Sequence, residues 1–356
     1  MGRTLATAYD RGRNNFDALR FALATLVLWS HAYSLDAELD PLLAFSGRQM
    51  SGGAVGVEGF FIVSGFLVTQ SWLGTAGLAR FAEKRARRVL PGLLVAMAVG
   101  VFAIGPFVTT QPLGTYLTSA RTWLHFPGLF AHAWSAVPGV FPRNTFKNQL
   151  NGSLWSLRYE IACYVMTGIV GMLGRRIWRP AVIAIAAGSV AGNALLHASG
   201  VAAPTWGSWG AKLLACYATG MALYEFRDHV PYRGALAAAA AVALLVAARA
   251  GGLVWIFPVA GAYLLLYLAC ASWLPLARFG RFGDFSYGLY LYAYPVQQVI
   301  LHVFGPKLPE RPFFVAAFLV TLPFAIASWH LVEAPMLDRS RRHVTTRGIV
   351  APRPEV

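Results

Sequence analysis

The 356-residue chain is 57% hydrophobic and only 13% charged, yet it carries a formal net charge of +15. That apolar content excludes an ordinary soluble enzyme of this length and predicts a membrane protein. The basic residues are dispersed among the short segments between apolar runs. A nucleic-acid-binding protein gathers such residues on one soluble face, so no nucleic-acid partner is expected.

Apolar runs long enough to cross the roughly 30 Å hydrocarbon core of a bilayer as helices recur along the whole chain. We predict ten of them, at residues 18–35, 53–73, 89–108, 153–173, 180–198, 208–226, 233–249, 253–272, 284–304 and 313–333. The expected fold class is therefore all-α, a polytopic integral membrane protein embedded in the lipid bilayer. Residues 1–340 form one membrane domain, and residues 341–356 are expected to be a basic, disordered tail. Lysine and arginine are enriched in every second connecting segment, starting with the N-terminal one, and this pattern places both termini in the cytoplasm.

The first predicted span begins with FDALRFALATLVLWSHAY at residues 16–33, in which Arg20 lies near the cytoplasmic edge and His31 lies deeper. Eleven residues at about 100° each complete three turns plus roughly 20°, so the two side chains share one helix face about 16 Å apart. Arg20 alone is compatible with a membrane anchor, and His31 alone with a hydrogen bond to a neighbouring helix. Their shared face favours one elongated ligand, held as an anion at Arg20 and met by a base at His31.

The second predicted span includes GGAVGVEGFFIVSGFLV at residues 52–68. Its closely spaced glycines predict tight packing between helix backbones. Glu58 is an ionisable residue inside the span, so it needs a partner or water. His31 of the first span is expected at a similar depth, which makes it a candidate partner.

The connection after the second span reads RFAEKRARRVLP at residues 80–91 and is dense in cations. Membrane topology alone explains several of these charges. Arg85 and Arg88 are three residues apart, however, and they share one face if the next helix extends back through them. That arrangement predicts a compact site for phosphate oxygens.

Residues 109–152 are the longest stretch outside the predicted spans, and a further short or re-entrant helix is expected there, on the outer side. The run NGSLWSLRYE at residues 151–160 then enters the next span. Arg158 and Glu160 do not share a helix face, so each is expected to find a separate partner.

Taken together, these segments resemble the acyltransferase 3 family, the membrane-bound bacterial O-acyltransferases of cell-surface glycans. The resemblance covers nearly the whole chain. Its most specific element is an arginine and a histidine separated by ten residues, met by Arg20 and His31. Further family motifs are similar to GVEGFFIVSGFLV with Glu58, FAEKRARRVLP with Arg85 and Arg88, NGSLWSLRYE with Glu160, and FSYGLYLYAYPV and SWHLVEAP with Tyr287, Tyr290 and Glu333.

The resemblance implies transfer of an acyl group, most often acetyl, from cytoplasmic acyl-CoA to a hydroxyl of a cell-surface or lipid-linked glycan. The protein would then lie in the bacterial cytoplasmic (inner) membrane. His31 would take the proton from the attacking hydroxyl, and Glu58 or Glu160 would orient it. The phosphates of the donor would be held by three cations, Arg20, Arg85 and Arg88.

Acyl-CoA, with acetyl-CoA as the first candidate, is thus expected as a co-substrate. No tightly bound cofactor or metal is expected, because the three cysteines, Cys163, Cys216 and Cys270, all fall inside predicted spans without metal-ligand spacing. Direct transfer is favoured over a covalent acyl-enzyme, since no serine or cysteine stands out beside a base. A secondary transporter or exporter is the alternative, because intramembrane Arg, His and Glu also serve as proton relays.

Two positions depart from the family pattern. Ala293 stands where many relatives carry histidine, so it cannot perform acid–base chemistry, and Arg158 stands where an uncharged residue is common, which bears on acceptor recognition. The acceptor site would be built from the outer loops, in which Trp123 and Trp134 are candidates for stacking on sugar rings.

Overall fold

The computed structural model describes residues 2–130, 136–199, 206–305 and 308–337. No β-strand forms among these residues, so the all-α prediction is confirmed for them. A helical segment lies at each of the ten predicted apolar runs. The ten are α1 Phe16–Ser34, α2 Gly52–Leu73, α3 Leu78–Val108, α4 Leu157–Met172, α5 Arg175–Ala198, α6 Trp206–Glu225, α7 Gly234–Ala250, α8 Leu253–Ala269, α9 Ser286–Phe304 and α10 Glu310–Leu337.

Four of these helices, α2, α3, α5 and α10, are long and apolar enough to cross a membrane, and α7 and α8 are shorter apolar helices. Large apolar side chains such as Leu195, Val242 and Leu319 are exposed on the outside of the molecule. Such exposure of large apolar side chains on several helices fits a lipid environment. The prediction of a membrane protein is confirmed at this level, whereas the crossing of the other helices stays a prediction.

The core of the bundle is built around α1 and α2. Helix α2 packs between α1 and α6, while α1 also contacts α9 and α10. Small residues allow the α2–α6 contact to be close: a Cβ atom on Gly65 would lie 2.0 Å from the Tyr217 carbonyl oxygen, and one on Gly220 would lie 2.2 Å from the Ile62 carbonyl oxygen. The glycines of the second span thus bring backbones together, as small residues do between helices in membranes.

A tight connection between α2 and α3 returns the chain to the same end of the bundle. Helix α2 begins after Ser51, whose side chain accepts a hydrogen bond from the Ala54 amide, and it ends before Gly74. Gly77 then precedes α3 with φ of 85°, a left-handed conformation that glycine adopts without strain. The first turns of α3, which carry the dense cations, are therefore placed beside the last turns of α2.

The segment between α3 and α4 contains the expected additional helix, in the form of two short ones, Leu113–Thr118 and Ala120–Leu124. They are followed by a 3₁₀ turn at Pro127–Phe130. Trp123 is half exposed, and its indole N–H donates to the Leu117 carbonyl. Trp134 and the tail at 341–356 lie outside the described residues.

Candidate active site

A cavity of about 330 Å³ lies between α1, α2, α3, α4 and α9, and we call it the central cavity. A smaller cavity of about 50 Å³ adjoins it and is lined by Ser156 and Tyr290 among others. Four predicted site residues meet at the central cavity, namely Arg20, Arg85, Arg88 and Glu160, although they come from three different helices. Its remaining lining residues are Phe60, Val63, Ser64, Leu67, Val68, Gln70, Ser71, Val89, Tyr164 and Tyr287.

Arg20 and Arg88 are joined by Asp284, a residue that the sequence analysis missed. One guanidinium nitrogen of each arginine contacts the same carboxylate oxygen of Asp284. Arg88 also reaches Glu333, with 3.3 Å between its Nη1 and the Glu333 Oε2. We call these four residues the charge cluster. Because it holds two cations and two carboxylates, Arg20 and Arg88 are largely neutralised within the protein.

Asp284 lies in the connection just before α9, and its side chain is only 11% exposed. Burial by itself would raise the pKa of this carboxyl. The charges of Arg20 and Arg88 and a hydrogen bond from the Ser286 hydroxyl outweigh burial, so the pKa of Asp284 is held well below its usual range. Asp284 is therefore anionic throughout the physiological pH range and fixes both arginines at the cavity wall.

Arg85 differs from the other two cations in having spare hydrogen-bonding capacity. Its Nη2 lies 3.4 Å from the Ser71 hydroxyl, and its guanidinium stands over the Tyr164 ring at 5.8 Å. Its Nε is buried without a hydrogen-bond partner among the described residues. Since no carboxylate is recorded in an ion pair with it within those residues, Arg85 is the arginine of the central cavity best placed to bind an anionic ligand.

The two predicted carboxylates have partners other than His31. Glu160 accepts hydrogen bonds from the hydroxyls of Ser64 and Tyr164. Glu58, 1% exposed, forms an ion pair of 2.9 Å with Lys212 of α6. The Cys216 thiol also donates to Glu58, at 3.7 Å. No contact of either carboxylate with His31 is recorded in the described part of the chain.

His31 lies on α1 beyond the central cavity, about three turns from Arg20. Its ring stands edge-on to the Tyr294 ring with 5.4 Å between their centroids. Its Nδ1 is buried without a hydrogen-bond partner among the described residues. The acidic group whose charge acts on His31 is Asp40, a second residue that the sequence analysis missed.

Asp40 is rigidly held although it lies in a loop. Its carboxylate accepts hydrogen bonds from the backbone amides of Leu42, Leu43 and Gly52, and also from the Ser30 hydroxyl. Ser30 is the neighbour of His31 on α1. The loop that follows the first span thus turns back and sets a fixed negative charge near the histidine.

Comparison with known proteins identifies the group to which these features belong. A family model described as an acyltransferase domain matches residues 13–330. An O-acetyl transferase of Shigella phage Sf6 is 28% identical over 92% of this chain and 97% of its own length. Nodulation protein 10 of Rhizobium leguminosarum bv. viciae is 28% identical over 95% of this chain and 97% of its own. No solved structure matches significantly.

The matched range includes Arg20, His31, Arg85, Arg88 and the whole wall of the central cavity. Membership of a family of acyl-transferring enzymes decides against the secondary-transporter alternative. The chain belongs to the acyltransferase 3 family and is an acyltransferase.

Proposed function

We propose that the protein is an O-acetyltransferase that moves the acetyl group of acetyl-CoA to a hydroxyl of a cell-surface or lipid-linked glycan. The observation that carries the proposal is the central cavity, in which Arg85 offers an anion site. His31, whose Nδ1 is free, lies on α1 about three turns beyond Arg20 of the cavity wall. The name of the Shigella phage relative, an O-acetyl transferase, supports acetyl as the transferred group.

The proposal includes a topology of ten membrane spans with both termini in the cytoplasm, in the bacterial inner membrane. This orientation follows from the lysine and arginine bias of the connecting segments. It places the central cavity in the cytoplasmic half, where acyl-CoA is available. It places His31 in the outer half, nearer the loops that would receive a glycan.

In the proposed reaction, Arg85 binds a phosphate of the donor while the neutral pantetheine arm lies along α1. The charge cluster keeps Arg20 and Arg88 as fixed N–H donors on the same wall. The acetyl thioester is thereby directed toward His31. No cofactor beyond this co-substrate is invoked.

His31 acts as the general base. The acceptor hydroxyl gives its proton to His31 as its oxygen attacks the thioester carbonyl carbon, forming the new C–O bond. The C–S bond then breaks, and the CoA thiolate leaves and recovers a proton from the imidazolium. The fixed charge of Asp40 favours the imidazolium that forms, so we assign this supporting role to Asp40 in place of Glu58 or Glu160.

A simple experiment tests the function. Purified protein is supplied with acetyl-CoA carrying a labelled acetyl group and with envelope glycans from a strain that lacks the gene. We expect free CoA and base-labile label on the glycan in equal amounts. Release of CoA with the label recovered only as free acetate would contradict a glycan acceptor, and absence of CoA release would contradict the donor.

The unequal environments of Arg85 and Arg88 give a prediction about the donor site. Arg85→Gln is expected to raise KM for acetyl-CoA about tenfold or more, since a hydrogen bond to a charged group is worth roughly 1.5–3 kcal/mol. Its thermal midpoint should match that of the unaltered protein. Arg88→Gln should weaken the donor site and also lower the thermal midpoint, because it leaves Asp284 and Glu333 short of a cation.

KM for each substrate and the thermal midpoint in detergent check this pair of variants. The acceptor KM should stay unchanged in Arg85→Gln. A KM for acetyl-CoA within twofold of the original would show that Arg85 does not bind the donor.

A further inference from the structure

A second cavity, of about 460 Å³, lies beside the central cavity and is lined in part by the N-terminal segment. We call it the N-terminal cavity. Its volume falls within the range of small-molecule sites, roughly 300–1,000 Å³. The two cavities share Leu67, Gln70 and Ser71 of α2, so they are neighbours across these residues. The remaining wall of the N-terminal cavity is formed by Tyr9, Arg11, Gly12, Asn14, Phe16, Asp17, Gly74, Lys84 and Ala277.

The charges of the N-terminal cavity are arranged differently from those of the central cavity. Arg11 and Lys84 line it, against one carboxylate, Asp17. Among the described residues no ion pair is recorded for either cation. Lys84 donates a hydrogen bond of 2.8 Å to the Thr75 hydroxyl, which occupies one of its three N–H groups. Arg11 is exposed, so its guanidinium is available to a ligand entering from water.

The boundary between the two cavities is structured by a side-chain pair. The Tyr9 hydroxyl donates to the Gln70 Oε1 at 3.0 Å and accepts from the Gln70 Nε2 at 2.8 Å. The Tyr9 ring packs edge-on against Phe16 and Phe66. The N-terminal segment is thus docked on α1 and α2, and Arg11 follows Tyr9 by only two residues.

The cations of the N-terminal cavity could balance phosphate charges of the donor that the central cavity leaves without a counterpart. An acyl-CoA carries several phosphate charges at its nucleotide end, whereas Arg20 and Arg88 are engaged by Asp284 and Glu333. Arg85 alone is a small counterpart for such a polyanion. Cations outside the central cavity, along the path by which the donor enters, complement the remaining charge.

Resting on the proposed function, we infer that the N-terminal cavity is the binding subsite for the phosphate-bearing nucleotide end of the donor. Arg11 and Lys84 contact its phosphates. The pantetheine arm then passes the Tyr9–Gln70 pair and enters the central cavity. The nucleotide end of the donor therefore binds to residues of the N-terminal segment and of the first turns of α3.

Two single variants, Arg11→Gln and Lys84→Gln, test this inference in the full-length protein held in phosphatidylcholine nanodiscs that contain a trace of labelled phosphatidylglycerol. Binding of radiolabelled acetyl-CoA gives its Kd, and displacement of that label gives the affinity of S-acetyl-pantetheine, which has no phosphate. Matched controls are Arg13→Gln and Arg80→Gln, which remove exposed arginines that line neither cavity from the same two segments.

Each test variant should weaken acetyl-CoA binding about tenfold and leave the affinity for S-acetyl-pantetheine unchanged, while both controls bind both compounds as the unaltered protein does. Equal losses for the two compounds, or losses no larger than those of the controls, would overturn the inference. Unchanged acetyl-CoA binding together with reduced retention of labelled phosphatidylglycerol would assign the cations to lipid headgroups and would also overturn it. Failure of the unaltered protein to bind acetyl-CoA would instead overturn the proposed function, and the subsite with it.

Discussion

Replacing His31 with alanine is expected to abolish acetyl transfer while acetyl-CoA binding is retained. General base catalysis contributes roughly 10²–10⁴ in rate, and the proposed reaction assigns that role to His31. His31 stands outside the wall of the central cavity, so the donor site stays intact. Initial rates of glycan acetylation and the Kd for acetyl-CoA are the two measurements to make.

His197→Ala is the matched control for that variant. His197 is exposed on α5, and its Nδ1 lies 2.9 Å from the Asn193 carbonyl oxygen one turn away. The control should keep both rate and affinity. Transfer by His31→Ala within a few-fold of the original rate would remove the histidine from the mechanism, whereas a parallel loss of acetyl-CoA binding would indicate a structural role.

The second large effect is expected from Asp284→Ala. This change removes the carboxylate that holds Arg20 and Arg88 together, and Glu333, which pairs with Arg88, remains as the other carboxylate of the charge cluster. Removing one partner of a buried ion pair typically costs about 3–5 kcal/mol, so a marked fall in thermal midpoint and loss of transfer are expected together. Differential scanning calorimetry of the protein in detergent gives the thermal midpoint.

Glu83→Ala is the control for Asp284→Ala, because Glu83 pairs with Arg87 on the exposed side of α3, one turn apart. A surface pair of this kind contributes about 0.3–0.5 kcal/mol, so the thermal midpoint should barely move. Similar midpoints for Asp284→Ala and Glu83→Ala would show that the charge cluster does not stabilise the bundle.

Acid should reproduce part of the effect of Asp284→Ala. The folded-state pKa of Asp284 is depressed, so its contribution to stability is complete above the unfolded-state pKa of about 4 and is lost as the pH falls below that value. The thermal midpoint should therefore decline below about pH 4 more steeply in the unaltered protein than in Asp284→Ala. Parallel declines would contradict the assignment of the acid-sensitive stability to this carboxylate.

The positions of the helices were predictable because an apolar chain in lipid must satisfy its own backbone hydrogen bonds, and helices do so locally. Run length and composition therefore located all ten segments. The convergence of Arg20 and Arg85 was also accessible, since each lies near the same end of its helix. Helix α9 packs against both α1 and α3, and this packing brings the two arginines to one cavity.

The partners of the charged residues were not predictable, because they come from distant parts of the chain. Asp284 is 264 positions from Arg20, and Lys212 contacts Glu58 across the α2–α6 interface. Local spacing carries no information about such pairs. The available signal was weaker: Asp284 is a lone carboxylate at the start of an apolar run, and Lys212 is a lone cation within one.

Local spacing also could not show which carboxylate lies near His31. Glu58 and Glu160 were natural candidates because they lie inside predicted spans, but Lys212 and Tyr164 engage them. Asp40 was overlooked because it lies in a loop. Its proximity to His31 depends on the chain turning back immediately after α1, where the amides of Leu42 and Leu43 fix its carboxylate.

The most direct test of the proposed reaction follows the acetyl group across a bilayer. Protein is reconstituted in vesicles with its termini facing outward, labelled acetyl-CoA is added outside, and a glycan acceptor is enclosed inside. We expect base-labile label on the enclosed glycan, with an equal amount of free CoA outside, and none of either with His31→Ala. Label recovered inside while still bonded to CoA, or an acetylated glycan formed equally well by His31→Ala, would contradict the proposed reaction.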